Sequence, residues 1–153
     1  QVSFDAADEA DAISTPPADP TNIESGCNLF GWTMLRSPLS ISGIYVDNWG
    51  SNHDINSFRW ILGYEGSDPS IFQIIEIHED EEWLVAQNGF NNEWNPELWS
   101  KFEWTESEGA LYYCQSAYDA GSLETAAAAT ADRSDLATGC GENAWSELSL
   151  ITE

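Results

Sequence analysis

The sequence predicts a mainly β domain, an antiparallel small barrel or sandwich with one short helix, behind an extended N-terminal tail. Three observations predict it. Apolar residues alternate with period two in several short runs from residue 41 onward, the mark of strands. Clusters of Gly, Pro, Asn, Asp and Ser separate those runs and read as turns. Several runs are apolar on both faces, which an open one-sided sheet cannot bury. The organisation that follows is an acidic extension over 1–26 and an antiparallel β-domain over 27–153.

The elements follow in order. Residues 27–36 are apolar but interrupted by Gly31 and stopped by Pro38, so an irregular segment or short strand is expected. Residues 41–49 place Ile44 and Val46 opposite Tyr45 and Asp47, a strand, and Gly50-Ser51-Asn52 turns the chain. Residues 53–64, with Ile55, Phe58, Trp60 and Leu62, read as one strand bulged near Asn56-Ser57. After the Gly66-Ser67-Asp68-Pro69 turn, residues 70–78 are strand-like with apolar side chains on both faces. Residues 82–88 and 99–105 are further strands, separated by a polar Asn-rich loop around Trp94. In the second, Phe102 and Trp104 oppose Lys101 and Glu103. Glu106-Ser107-Glu108-Gly109 closes a hairpin onto 111–117, completing a meander of about six strands. Ala126 to Ala129 predict a short helix within 121–132, with Ser122 as its cap. Residues 145–151 form a last strand able to return to the sheet, and Trp60, Trp83, Trp104 and Trp145 are assigned to the core.

Charge narrows the partners. The chain has 27 acidic residues against four basic ones, Arg36, Arg59, Lys101 and Arg133, and a net charge of -23. Phosphate binding needs cationic patches, so nucleic acid is excluded as a partner, and an anionic membrane surface is disfavoured. Strongly hydrated carboxylates suit solubility in salty surroundings. Asp5, Asp8, Glu9 and Asp11 are the carboxylates that calcium would engage, but they lack the Gly-centred spacing of an EF-hand loop. No apolar run approaches the roughly 20 residues that span a bilayer, and residue 1 reads as a mature N-terminus left by export.

Three cysteines, Cys27, Cys114 and Cys140, form no metal or redox motif. In an exported protein two of them are expected to pair. Cys114 ends a strand and Cys140 sits in a Thr-Gly-Cys-Gly turn, which favours that pair. Cys27 is then a buried free thiol, a replacement partner for one of the others, or a bond to another chain.

Catalytic motifs are absent from the sequence. His53 and His78 are the only histidines, and each is expected at a strand end on the surface. No Gly-x-Ser-x-Gly elbow or phosphate loop accompanies them. Glu76 and His78 share a strand face, yet two ligands are too few for a firm metal site. No cofactor and no enzymatic activity are expected. The eight Trp, five Tyr and six Phe are the more informative group. Aromatics in strands fill a core, whereas those beside polar turns can stack on sugar rings. Tyr45, Trp49, Trp94 and Trp99 are the candidates for ligand stacking.

The tail suggests assembly. Val2, Phe4 and Ala6 alternate with polar residues, and with Ile13 they would form a subunit contact. Added as a strand to the sheet of a second copy, such a segment propagates head to tail as a filament. Pro16-Pro17 would act as a stiff spacer.

Several motifs in fixed order carry a resemblance. They are Gly43-Ile44-Tyr45-Val46-Asp47-Asn48-Trp49-Gly50 with His53 and Ile55, Val85-Ala86-Gln87-Asn88, and Asn95-Pro96 with residues 99–105. Leu111-Tyr112-Tyr113-Cys114-Gln115 and Ala131-Asp132-Arg133 leading to Gly139-Cys140-Gly141 complete the set. In this order they resemble uncharacterised small secreted proteins and lipoproteins of myxobacteria and related bacteria, over roughly residues 40–148. The resemblance implies export and a Cys114–Cys140 pair, and no activity. The sequence therefore points first to a secreted or cell-surface, non-enzymatic structural subunit that binds itself. The alternative is a secreted module that binds a glycan or small ligand through exposed Trp and Tyr.

Overall fold

The computed structural model describes Thr21 and residues 36–152. The chain divides into two units, Gln1–Arg36 and Ser37–Glu153, and every described strand lies in the second. The strands are β1 (Gly43–Asp47), β2 (Asn52–Ile55), β3 (Arg59–Gly63), β4 (Ser70–His78), β5 (Trp83–Asn88), β6 (Trp99–Ser107), β7 (Ala110–Ala120) and β8 (Ser146–Leu150). Each is antiparallel to its neighbours, and β1 pairs with β8, so the eight close into a barrel. Closure removes the free edges that an open sheet would leave.

Local chemistry sets the turns. Asn56 Oδ1 accepts from the backbone N–H groups of Phe58 and Arg59, and Asn56 N–H donates to Arg59 O. This side-chain-closed turn splits the expected single strand over 53–64 into β2 and β3. The meander therefore has more strands than the sequence suggested. Between β6 and β7, Glu108 and Gly109 both have positive φ (54° and 84°), the conformation that matches the twist of a two-residue hairpin. The β4–β5 register shifts between Ile74 and Glu76, a bulge that leaves Ile75 exposed on the outer surface.

Eight strands leave an interior that side chains fill or that holds one small ligand. Here most of it is filled. Trp60 stacks on Phe102 with ring centroids 4.5 Å apart, and Phe72 meets Phe102 edge-on at 4.9 Å. Tyr45, Ile55, Leu62, Ile74, Leu84, Ala86, Trp104, Tyr113 and Leu148 complete the cluster with Leu39 and Ile41. Each large side chain buried this way contributes about 1.5–3 kcal/mol relative to exposure.

A smaller cluster lies on the outer face of β5, β6 and β7 under the helix α1 (Leu123–Ala127). Ser122 caps α1 by accepting from Thr125 N–H, as its sequence position predicts. Lys101 and Glu103 alternate outward from β6, as expected, but they are buried beneath the segment after the helix. Lys101 Nζ donates to Ala127 O and Ala129 O and lies 4.5 Å from the Trp83 ring centroid. Glu103 accepts from Ala131 N–H and the Arg133 guanidinium. The Cys114–Cys140 disulfide then ties this outer strap to β7. Trp145, assigned to the core, is buried, with its indole N–H donating to Asp132 O in the strap.

Candidate functional site

Antiparallel order brings the β1–β2, β3–β4 and β5–β6 connections and the C-terminal end of β7 to one end of the barrel. At that end the packing stops short. A pocket of about 330 Å³ is lined by Leu62, Tyr64, Ser70, Phe72, Asn88, Trp94, Asn95, Gln115 and Tyr118. Leu62 and Phe72 belong to the barrel core, so the pocket opens directly onto it. Tyr64, Trp94 and Tyr118 stand at the rim as large exposed aromatics, with Trp94 71% exposed. Among the described residues, no charged side chain lines the pocket.

Asn88 organises this mouth. It ends β5 pointing inward and is buried. Its Nδ2 donates to Asn95 O at 2.8 Å and to Tyr118 O at 3.0 Å, which fixes the orientation of the amide. Its Oδ1 accepts from Ser100 Oγ at 2.6 Å. One buried amide thus pins the β5–β6 loop and the end of β7, the two segments that present Trp94 and Tyr118. Backbone hydrogen bonds from Asn88 N–H to Leu98 O and from Glu97 N–H to Asn88 O hold the loop further. Asn92 exchanges side-chain hydrogen bonds with the Ile71 backbone, anchoring the same loop to β4. Gln115 Nε2 donates to Ser100 Oγ at 3.0 Å. That uses one of its two amide protons and leaves one donor and the Oε1 acceptor for a ligand.

A separate polar group is sealed inside the barrel. Asp47 Oδ1 accepts from Trp49 N–H and Ser51 N–H, while Oδ2 lies 3.2 Å from His53 Nε2 and 3.3 Å from Tyr113 Oη. His53 Nδ1 accepts from the Trp60 indole N–H at 3.0 Å. An indole only donates, so Nδ1 carries the lone pair and Nε2 carries the proton. Burial is the largest influence on His53 and holds its pKa below the ordinary value, against the opposing pull of Asp47. Burial alone would raise Asp47, but the combined hydrogen bonds from Ser51, His53 and Trp49 lower it. Burial, then the Asp47 charge, pushes the Tyr113 phenol up. His53 is 1% exposed, not at the surface as the sequence suggested. Both its nitrogens are engaged, so it offers no base to a substrate.

His78 differs. It stacks on Trp83 at 3.6 Å, with Glu76 and Glu81 each 3.7 Å from one of its ring nitrogens. Among the described residues, no group of three or more His, Cys, Asp or Glu is placed to hold a metal ion. No described helix is long and apolar enough to cross a membrane.

The structure sorts the residues singled out for stacking. Trp94 lines the pocket. Trp49 is exposed at the same end, on the β1–β2 turn, with its indole N–H donating to Ser146 Oγ. Tyr45 is 7% exposed and packs in the barrel core, so it is unavailable to a ligand. Its neighbour Ile44 takes the outward face of β1 instead. Trp99 is half-buried in the outer cluster with Val85, Ala120 and α1. Sequence reasoning missed Tyr64, Tyr118, Asn88 and Gln115. The available signal was positional: each sits within a few residues of a strand end that the topology brings to the mouth. The tail residues Val2, Phe4, Ala6 and Ile13, the acidic Asp5, Asp8, Glu9 and Asp11, and Cys27 lie outside the described residues. Comparison of the chain with family profiles, curated proteins and solved structures gives no match.

Proposed function

We propose that this chain is a binding module that takes a small, neutral, hydroxyl-rich ligand, a sugar ring, in the mouth of its barrel. The observation that carries the reading is the pocket itself: three exposed aromatics around a neutral lining of amides and a hydroxyl, above an apolar floor. Binding sites are commonly concave and largely apolar, with a few placed polar groups. A sugar presents apolar C–H faces to aromatic rings and hydroxyls to groups such as the free edge of Gln115. The net charge of -23 opposes anions, and among the described residues no cation lines the pocket to offset it.

Assembly by strand addition has less to rest on. Among the described residues the closed barrel offers no open sheet edge to receive an incoming strand. The test of the binding reading is titration of the full chain with neutral saccharides, followed by the Trp94→Ala variant. Binding weakened at least about tenfold by that change supports it, which is a loss of about 1.4 kcal/mol. Equal binding by the variant, or no binding by the wild type, overturns it.

A further inference from the structure

Exposed aromatics on this barrel are segregated. Trp49, Tyr64, Phe90, Trp94 and Tyr118 all sit at the mouth end, on three different connections and the end of β7. Phe58, on the β2–β3 turn, is the exposed aromatic at the other end among the described residues. Tyr64, Trp94 and Tyr118 line the pocket, but Trp49 and Phe90 do not. Scattered exposed apolar residues need no explanation, whereas a set gathered around one opening does.

Trp49 is also held in place, and the backbone just before Phe90 is anchored. Trp49 is 72% exposed, yet its backbone N–H donates to the buried Asp47 and its indole N–H to Ser146. Asn48 exchanges hydrogen bonds with Glu147, fastening the same turn to β8. Phe90 follows Gly89, whose N–H donates to Ile71 O. A ring fixed before binding, as the Trp49 indole is, loses little entropy when a ligand arrives. Charge restricts the occupant. Those connections contain Glu65, Asp68, Glu93 and Glu97 and no Lys or Arg. Arg59 and Arg133 sit at the opposite end, and Lys101 is covered by the strap. An anionic polymer or an anionic membrane finds no counter-charge on those connections.

On the reading that the pocket holds a sugar, we infer that the ligand is a neutral polysaccharide chain. One ring enters the pocket, and Trp49 and Phe90 receive neighbouring units across the rim. The pocket alone accounts for one ring; the flanking aromatics account for the chain.

The experiment is a two-dimensional NMR titration of the full chain that follows the Trp indole N–H signals. The probes are neutral gluco- and chito-oligosaccharides from one to six units. Affinity is expected to rise at least tenfold from one unit to four. Trp49→Ala and Phe90→Ala should remove most of that gain while leaving single-ring affinity unchanged. Both are exposed loop positions, and thermal melts of the variants confirm folding. Length-independent binding, or a gain that neither variant reduces, overturns this inference while the single-ring pocket stands. Absence of binding at every length, or binding indifferent to Trp94→Ala, overturns the pocket reading and this inference with it.

Discussion

The chain of donors Trp60→His53→Asp47 has a direction, and reversing one link should be costly. Asp47→Asn is nearly isosteric. Asn Oδ1 can still accept from the Trp49 and Ser51 backbone N–H groups, which dictates where the new amide nitrogen points. It then faces His53 Nε2–H, 3.2 Å away in the wild type, and Tyr113 Oη at 3.3 Å. His53 cannot escape by changing tautomer, because Nδ1–H would then oppose the Trp60 indole N–H. A buried donor without a partner costs about 1–3 kcal/mol, and here one or two are created. The expected loss is about 2–5 kcal/mol, a large share of the roughly 5–15 kcal/mol typical of a domain. Urea denaturation followed by far-UV circular dichroism measures it. In a Trp60→Phe background the opposed N–H is gone, so the penalty for Asp47→Asn should shrink by about 1 kcal/mol, a measurable coupling. A loss below about 1 kcal/mol, or a wild-type His53 whose nitrogen shifts show the proton on Nδ1, would refute the reasoning.

Other expectations follow from the same geometry. The folded His53 pKa lies below its unfolded value, so the unfolded chain binds the extra proton first. Stability is therefore full above about pH 6.5 and falls below it, at up to about 1.4 kcal/mol per pH unit. Asp47, also depressed, adds a second loss as pH drops below its unfolded value. Denaturation curves between pH 7 and 4 should show the first slope, and a His53→Gln variant should flatten it. Replacing Cys114 and Cys140 with Ser opens a loop of sequence separation 26. The chain-entropy relation gives a loss of about 3.5 kcal/mol, readable as a lower urea midpoint. Gly139→Ala should lower stability by about 1–3 kcal/mol, because its Cβ would overlap the backbone oxygens of Asp132 and Asp135. A neutral melting temperature would contradict that packing.

Much of the barrel was legible because its strands obey period two. Phe102 and Trp104 do face the core while Lys101 and Glu103 face outward. The Ser122 cap was readable because it depends on local chemistry, and the Cys114–Cys140 pair was favoured by a strand-side and a turn position. The choice of a closed barrel over a sandwich was not, because the β1–β8 pairing joins segments about a hundred residues apart and no local signal specifies it. Nor was the burial of Lys101 and Glu103. Alternation alone assigns them to solvent, and only the strap behind α1 covers them. His53 misled for a related reason: the residues that satisfy it, Asp47 and Trp60, come from different strands. The site was half legible. Trp94 beside polar Asn residues read as exposed, but the Asn88–Ser100–Gln115 network needed three strands brought together.

The most direct test is a crystal structure of the full chain grown with a neutral hexasaccharide, with both gluco- and chito-series as probes. The prediction is one sugar ring between Tyr64, Trp94 and Tyr118, with a hydroxyl within hydrogen-bond distance of Gln115. A saccharide bound elsewhere on the barrel, or a mouth that stays empty while the same probes bind in solution, would contradict it.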